Sequence, residues 1–232
     1  MSVVIFRQLF DKESSTYTYL LGDPTSGEAA LIDPVVEQVE RDLKLVSELG
    51  LRLTTVLDTH VHADHVTGAG TLRERTGART HFSVSGGPAC ADVLLQDGAD
   101  VKVGALVIRA LATPGHTDSC MCYVAGERVF TGDTLLVRGC GRTDFQEGDA
   151  ATLWRSVHEK LFTLPDATAV FPAHDYRGQT QSTIGEEKKH NPRLGGAMTA
   201  PAFVELMQGL DLPPPAKLAE AVPANRACGK RD

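Results

Sequence analysis

Between Thr59 and His65 the chain reads T-H-V-H-A-D-H, which sets His60, His62, Asp64 and His65 close together with only Val61 and Ala63 between them. Imidazole nitrogen and carboxylate oxygen are donors that divalent first-row metals accept. Farther on, His116 stands in T-P-G-H-T, Asp133 in T-G-D-T and His174 in P-A-H-D-Y. Packed into a core without a metal, such groups would leave polar atoms unpaired at roughly 1–3 kcal/mol each. Neutral imidazoles and ionised carboxylates around a cation remove that cost, so the set reads as a metal centre. On an extended segment His60 and His62 face one side, while Asp64 and His65 fall in the turn that follows. One segment can thus serve two adjacent metal sites.

These residues meet only if the chain brings several loops to one place. Residues 53–58, L-T-T-V-L-D, are apolar and β-branched and read as a buried strand. A helix is expected over 68–75, so the histidine cluster occupies a strand-to-helix loop, a common position for functional residues. Strands are also expected over 107–111, 121–124, 129–131 and 169–172; His116, Asp133 and His174 lie in the loops around them. Upstream, 3–10, 17–21 and 29–32 suit an antiparallel meander with a turn at Gly22-Asp23-Pro24. Val39, Leu43, Val46 and Leu49 recur at helical spacing, giving a helix over 36–49 that Gly50 stops. A second helix is expected over 150–162. After His174 the sequence becomes more polar and proline-rich, with P-P-P at 213–215, and residues from about 185 to 232 are read as helices and a tail wrapped on the core. No linker or internal repeat divides the chain, so 1–232 is expected to be one domain.

The composition narrows the partners. With 23 basic and 30 acidic residues the net charge is −7, which disfavours a surface built to neutralise phosphates; nucleic acid is not an expected partner. The opening M-S-V-V-I-F-R is too short to span a bilayer and has no small-residue cleavage site, so no membrane association is expected. Five cysteines, at 90, 120, 122, 140 and 228, form an odd set without C-x-x-C spacing, and suggest a reducing, cytoplasmic setting. Cys120 and Cys122 fall on one face of an extended segment, where packing is the plain reading.

The combination H-x-H-x-D-H, G-H-T, an Asp beyond a strand and a final His resembles the metallo-β-lactamase superfamily. That resemblance implies an α/β fold, an αββα sandwich of two mixed β-sheets flanked by helices, with the metal site at one edge. The fold alone does not name a reaction. Four further segments, G-C-G-R-T-D-F-Q at 139–146, P-A-H-D-Y at 172–176, N-P-R-L at 191–194 and A-V-P-A-N at 221–225, are similar to those of the persulfide dioxygenases over nearly the whole chain. The resemblance implies one Fe(II) per subunit bound by His60, His116 and Asp133, a two-histidine, one-carboxylate set that leaves positions open for oxygen chemistry. It implies oxidation of glutathione persulfide by O2 and water to sulfite and glutathione, in a homodimer. His62, Asp64, His65 and His174 then orient the ligands and bound water through hydrogen bonds. Arg142, Tyr176 and Arg193 are candidates for holding the peptide part of the substrate, since guanidinium pairs well with carboxylates. Cys140 lies near the pocket or packs in the core. Two other readings remain: a glyoxalase-II-like hydrolase of glutathione thioesters with two metal ions, and a noncatalytic metal-binding protein on the same fold.

Overall fold

The computed structural model describes residues 4–230, so the Val3 start of the first expected strand lies outside the described residues. Strands β1 (Ile5–Asp11), β2 (Thr16–Gly22) and β3 (Glu28–Ile32) form the expected antiparallel meander. A single 3-10 turn, Val36–Gln38, leads into helix α1 (Val39–Glu48), which ends at Gly50 with φ +66, a conformation glycine adopts without a Cβ clash. β4 (Arg52–Leu57) then runs parallel to β3, followed by α2 (Ala69–Thr76), β5 (Arg79–Ser83) and β6 (Val93–Leu95). These strands make one mixed sheet in the order β1-β2-β3-β4-β5-β6.

The second mixed sheet holds β7 (Asp100–Val103), β8 (Leu106–Ala112), β9 (Met121–Ala125), β10 (Arg128–Gly132), β11 (Ala169–Pro172) and β12 (Ser182–Thr183), in the order β12-β11-β10-β9-β8-β7. Only β10 and β11 pair in parallel, and the crossover between them carries α3 (Ala150–Ser156), extended by a π turn at Val157–Leu161. The chain closes with α4 (Ile184–His190), α5 (Ala200–Gln208) and α6 (Leu218–Arg226).

Period-two alternation explains why the sheets stack face to face. Tyr19, Leu21, Ala30, Ile32 and Leu57 point between the sheets and meet Ile108, Ala110, Tyr123, Phe130 and Phe171 from the other side. Their neighbours Leu20, Ala29, Leu31 and Val56 point outward onto α1 and α2, through Val39, Val46, Ala69 and Leu72. On the far side Val129 and Val170 pack against Leu153, Val157, Ile184 and Phe203 of the helices. The result is four layers, helix, sheet, sheet, helix, as the family resemblance implied. Complete burial of one such aliphatic or aromatic side chain is worth about 1.5–3 kcal/mol. The expected strands and helices are all present, while β5, β6, β7 and β12 were not anticipated. β6 and β12 have too few residues to show a period, and β7 needs β8 beside it to be recognised.

Two tyrosines reach across the inter-sheet core with their polar ends. Tyr19 Oη donates to Pro172 O at 2.6 Å, and Tyr123 Oη donates to Asp58 O at 2.7 Å. Each fixes the carbonyl at the end of a strand that leads into the histidine-bearing loops. α4 and α5 cover the second sheet, whereas α6 crosses to the first and packs Ala221 and Ala224 on Val66. There the odd cysteine set resolves differently from its spacing: Cys90 and Cys228, 138 residues apart, form a disulfide, and Cys120, Cys122 and Cys140 are free and buried. Among the described residues no helix is long and apolar enough to cross a membrane.

Candidate metal centre

The loops after β4, β8, β10 and β11 converge at one edge of the two sheets. They bring together His60, His116, Asp133 and His174, while His62, Asp64 and His65 stand beside them on the β4 loop. Ligand atoms of His60, His116 and Asp133 all lie within 4.8 Å of one another. His116 Nε2 stands 3.6 Å from Asp133 Oδ2, and the His60 and His116 rings are 4.9 Å apart and nearly perpendicular.

Neighbouring groups dictate which nitrogen each ring presents. Thr59 N–H and Oγ1–H donate to the two oxygens of buried Asp33, at 2.7 and 2.9 Å. With its proton engaged there, Thr59 Oγ1 can only accept from His60 Nδ1, 3.0 Å away. His116 Nδ1–H likewise donates to Arg142 O at 2.6 Å. Both rings therefore turn an Nε2 lone pair toward the common space, as metal-binding histidines do when the other nitrogen is held by a hydrogen bond. Burial, with help from the neighbouring imidazoles, keeps His60 and His62 well below the usual histidine range. They are neutral, the form in which an imidazole is a ligand.

Asp133 is placed by two glycines. Gly132, with φ +52, lies so close to Thr59 that a Cβ would fall 2.6 Å from Thr59 Oγ1. Gly141 N–H donates to Asp133 O at 2.7 Å, and a Cβ there would sit 2.6 Å from Asp133 O and 2.7 Å from His116 Nδ1. The second glycine of G-C-G-R is thus where the chain passes against two of the candidate ligand residues, His116 and Asp133. Asp133 Oδ1 is buried without a hydrogen-bond partner. Such an orphan costs about 1–3 kcal/mol or more if left alone, and a cation beside His60 and His116 would satisfy it. Two imidazoles, each with its Nδ1 held by a hydrogen bond, and one carboxylate with an unpaired oxygen fit a divalent metal.

The other expected site residues ring this group. His62 Nε2–H donates to Asp33 Oδ1 at 3.1 Å, and its buried Nδ1, without a hydrogen-bond partner, lies 4.0 Å from Asp64 Oδ1. His65 Nδ1 bonds Asp64 Oδ2 at 2.8 Å. His174 Nδ1–H donates to Ser15 O at 3.2 Å, leaving Nε2 3.6 Å from Asp64 Oδ1 and 3.7 Å from Asp133 Oδ1. Burial alone would lower His174, but the Asp133 and Asp64 carboxylates override it and push it up to about 10. Burial would raise Asp64, yet His174 and His65 hold it well below the usual carboxylate range. A second ligand-like group, His62, Asp64 and His65, also has its donor atoms within 4.8 Å.

The three expected substrate contacts have different surroundings. Tyr176 is 74% exposed, its ring parallel to that of His174 at 6.1 Å. It lines a cleft of about 530 Å3 with Phe10, Lys12, Tyr17 and Asp175. Arg193 Nη1 donates to Cys140 O at 3.2 Å, next to Gly141. Arg142 has its guanidinium engaged already, by both Asp144 oxygens at 2.7 Å and by the carbonyls of Leu212 and Pro213. Cys140 packs in the core beneath it, and burial pushes its thiol up to about 11, which makes it a poor nucleophile.

Several residues that support the centre escaped sequence reasoning. Asp33 directly follows the strand expected over 29–32, and with φ +51 its carboxylate holds Thr59 and His62. Asp58 and Thr67 bond each other beneath it. Burial and the Asp33 charge hold Asp58 well above its ordinary range. Ser119, in the β8–β9 loop, accepts from Val61 N, and Gln146, in the loop after β10, donates to Val61 O. A non-glycine residue before proline, with a β-strand behind it, was the one local signal for Asp33.

Residues 11–174 match the Metallo-beta-lactamase superfamily. Curated relatives include "Persulfide dioxygenase ETHE1, mitochondrial" from Bos taurus, 51% identical over 97% of this chain and 89% of the relative. The protein of the same name from Homo sapiens is 49% identical over the same shares. The crystal structure of ETHE1 from Myxococcus xanthus superposes with a TM-score of 0.96 at 58% identity, covering 97% of this chain and all of that one.

Proposed function

Because this chain belongs to the metallo-β-lactamase superfamily and, within it, to the persulfide dioxygenases, we propose that it oxidises glutathione persulfide with O2 and water to sulfite and glutathione, using one Fe(II) per subunit. The observation that carries the assignment of ligands is the pair of preset imidazoles, His60 and His116, with Nε2 free and the orphaned Asp133 Oδ1 between them and His174. These three residues would hold the iron. Bound there, iron(II) would supply redox chemistry and open positions at which O2 and a sulfur anion can meet.

The chain's own contributions follow from the hydrogen bonds. Asp33, through Thr59, and the Arg142 carbonyl fix the two rings before any metal arrives. His62, turned onto Asp33, is drawn toward the loop's supports rather than the His60–His116–Asp133 group. His174, with Nε2 3.6 Å from Asp64 Oδ1 and 3.7 Å from Asp133 Oδ1, can present a proton at Nε2 toward a bound anion or water. Tyr176, Lys12 and Arg193 are the groups left to meet the peptide and its carboxylates. Arg142 reaches substrate only by exchanging Asp144, and otherwise ties the 212–213 segment to the ligand His116. We assign the active unit as a homodimer.

Reconstitution with Fe(II) under anaerobic conditions, then O2 uptake with glutathione persulfide in parallel with hydrolysis of a lactoyl-glutathione thioester, tests this reading. Persulfide-dependent O2 uptake with one iron per chain is expected, lost with iron in His60→Ala while His62→Ala largely keeps its iron. The second group, His62, Asp64 and His65, favours the dinuclear hydrolase as the rival. Thioester cleavage without O2 uptake would establish it in place of the oxygenase.

A further inference from the structure

The A-V-P-A-N segment has no part in the chemistry above, yet its last residue hydrogen-bonds the backbone of the histidine loop. Asn225 is 1% exposed. Its Nδ2 donates to His62 O at 2.9 Å and to His65 O at 2.8 Å, and its Oδ1 accepts from Thr67 N at 2.8 Å. One amide thereby closes the turn of H-x-D-H on both sides, using both of its donor protons and one acceptor lone pair. The residue lies 160 positions from His65 in sequence.

The rest of the tail is shaped to deliver that amide. Ala221 and Ala224 are small and buried, so α6 approaches Val66 closely enough for a short side chain to reach the loop. Beyond it, the backbone lies against the start of α2: a Cβ on Gly70 would fall 2.2 Å from Cys228 O, and one on Gly229 would fall 2.3 Å from Thr67 O. The Cys90–Cys228 bond then ties the tail to the β5–β6 loop. Val61, just ahead, has its peptide fixed by Ser119 and Gln146. The loop thus has two anchors, one from loops of the second sheet and one from the C-terminal helix.

We propose that Asn225 is a positioning residue for the metal centre, and that its hydrogen bonds to the loop govern how long the loop retains its metal. The inference rests on the reading of His60, His116 and Asp133 as the metal ligands. Without Asn225, the carbonyls of His62 and His65 and the Thr67 amide lose their partner, and the turn carrying Asp64 can open. Release of metal quickens because residues around the ligands no longer stay in place; supporting hydrogen bonds of this kind change metal affinity or activity about 10–100-fold.

The test uses the full chain loaded with Co(II) alone, whose visible band reports the bound metal, and follows its loss to an excess of chelator. Asn225→Ala should release metal about tenfold faster than the unaltered chain. Its iron-loaded form should lose kcat with KM within about twofold. Asn225→Asp keeps the size of the side chain and the Thr67 bond but has no donors, and should behave like the alanine. Cys90→Ser loosens the tail while leaving the Asn225 bonds in place; it should lower the unfolding temperature with little change in release. Release from both Asn225 variants at the unaltered rate, or equal acceleration in Cys90→Ser, would overturn the proposal. So would loss of folding in both, which would make the residue purely structural. An unaltered chain that gives no Co(II) band would instead overturn the metal reading and this inference with it, whereas metal binding without persulfide oxidation would leave the inference standing and remove only the proposed reaction.

Discussion

Gly141→Ala is the substitution whose effect on the centre can be worked out most directly. The new methyl would sit 2.6 Å from Asp133 O, 2.7 Å from His116 Nδ1 and 2.8 Å from His116 Cγ. Ordinary contact for a Cβ begins near 3.4 Å, so each of these atoms must yield by about 0.7 Å. Neither can move freely. Asp133 O accepts from the Gly141 amide, and the His116 ring is tied to Arg142 O at 2.6 Å. The ring must tilt away and weaken the hydrogen bond that presets its Nε2. Loss of such a partner is worth about 10–100-fold in metal affinity, equivalent to about 1.4–2.8 kcal/mol. Gly141 does not have a positive φ, so alanine adds no backbone strain of its own. Gly139, two residues earlier, is the internal control, because a Cβ there meets only Leu136 Cβ, at 3.9 Å. Titration of Fe(II) or Co(II) into both variants should show weak binding for Gly141→Ala and binding within twofold of the unaltered chain for Gly139→Ala. Equal affinity in the two alanine variants would refute the argument that close backbone packing at position 141 presets the ligands.

Two further predictions concern the frame. Asp42 is fully buried on α1, where burial raises its carboxyl from 3.8 to about 6 against the opposing pull of Arg41. Because the folded value lies above the unfolded one, stability falls as pH rises from about 4 to 6 and stays lower above that, by about 3 kcal/mol. Asp42→Asn should flatten this part of the urea-unfolding profile and stabilise the chain at pH 7; an unchanged profile would show that Asp42 does not carry it. Arg138 sits at φ +56 and pairs its guanidinium with the fully buried Glu187 and with Glu186. Arg138→Met leaves the Glu187 charge without its cation and should lower the urea midpoint by the equivalent of about 3 kcal/mol, while the double variant with Glu187→Leu recovers part of the loss.

Much of the centre could be read from residue types in order. Strand ends followed by His60, Asp133 and His174 are local signals, since a short β-branched run and the loop after it lie together in the chain. So were the helix over 36–49, with its stop at Gly50, and the meander before it. Other features had no such signal. Asp33 serves the centre through a left-handed backbone turn, and nothing in D-P distinguishes that from the end of a strand. Arg142 was anticipated as an anion binder from its charge, but the fold brings Asp144 and the 212–213 carbonyls to its guanidinium, and its carbonyl does the work on His116.

The sequence by itself determined the donor set and most of the strands and helices, because ligand chemistry belongs to residue types and apolar periodicity is local, while the layered fold was what the family resemblance implied. Tertiary structure alone decided which nitrogen each histidine presents, that His62 turns onto Asp33, that Cys90 meets Cys228, and that an asparagine 160 residues away closes the loop. The physical reason is the same in each case. A hydrogen bond or a disulfide is made within a few ångströms in space, and only the packed chain sets which residues come that near.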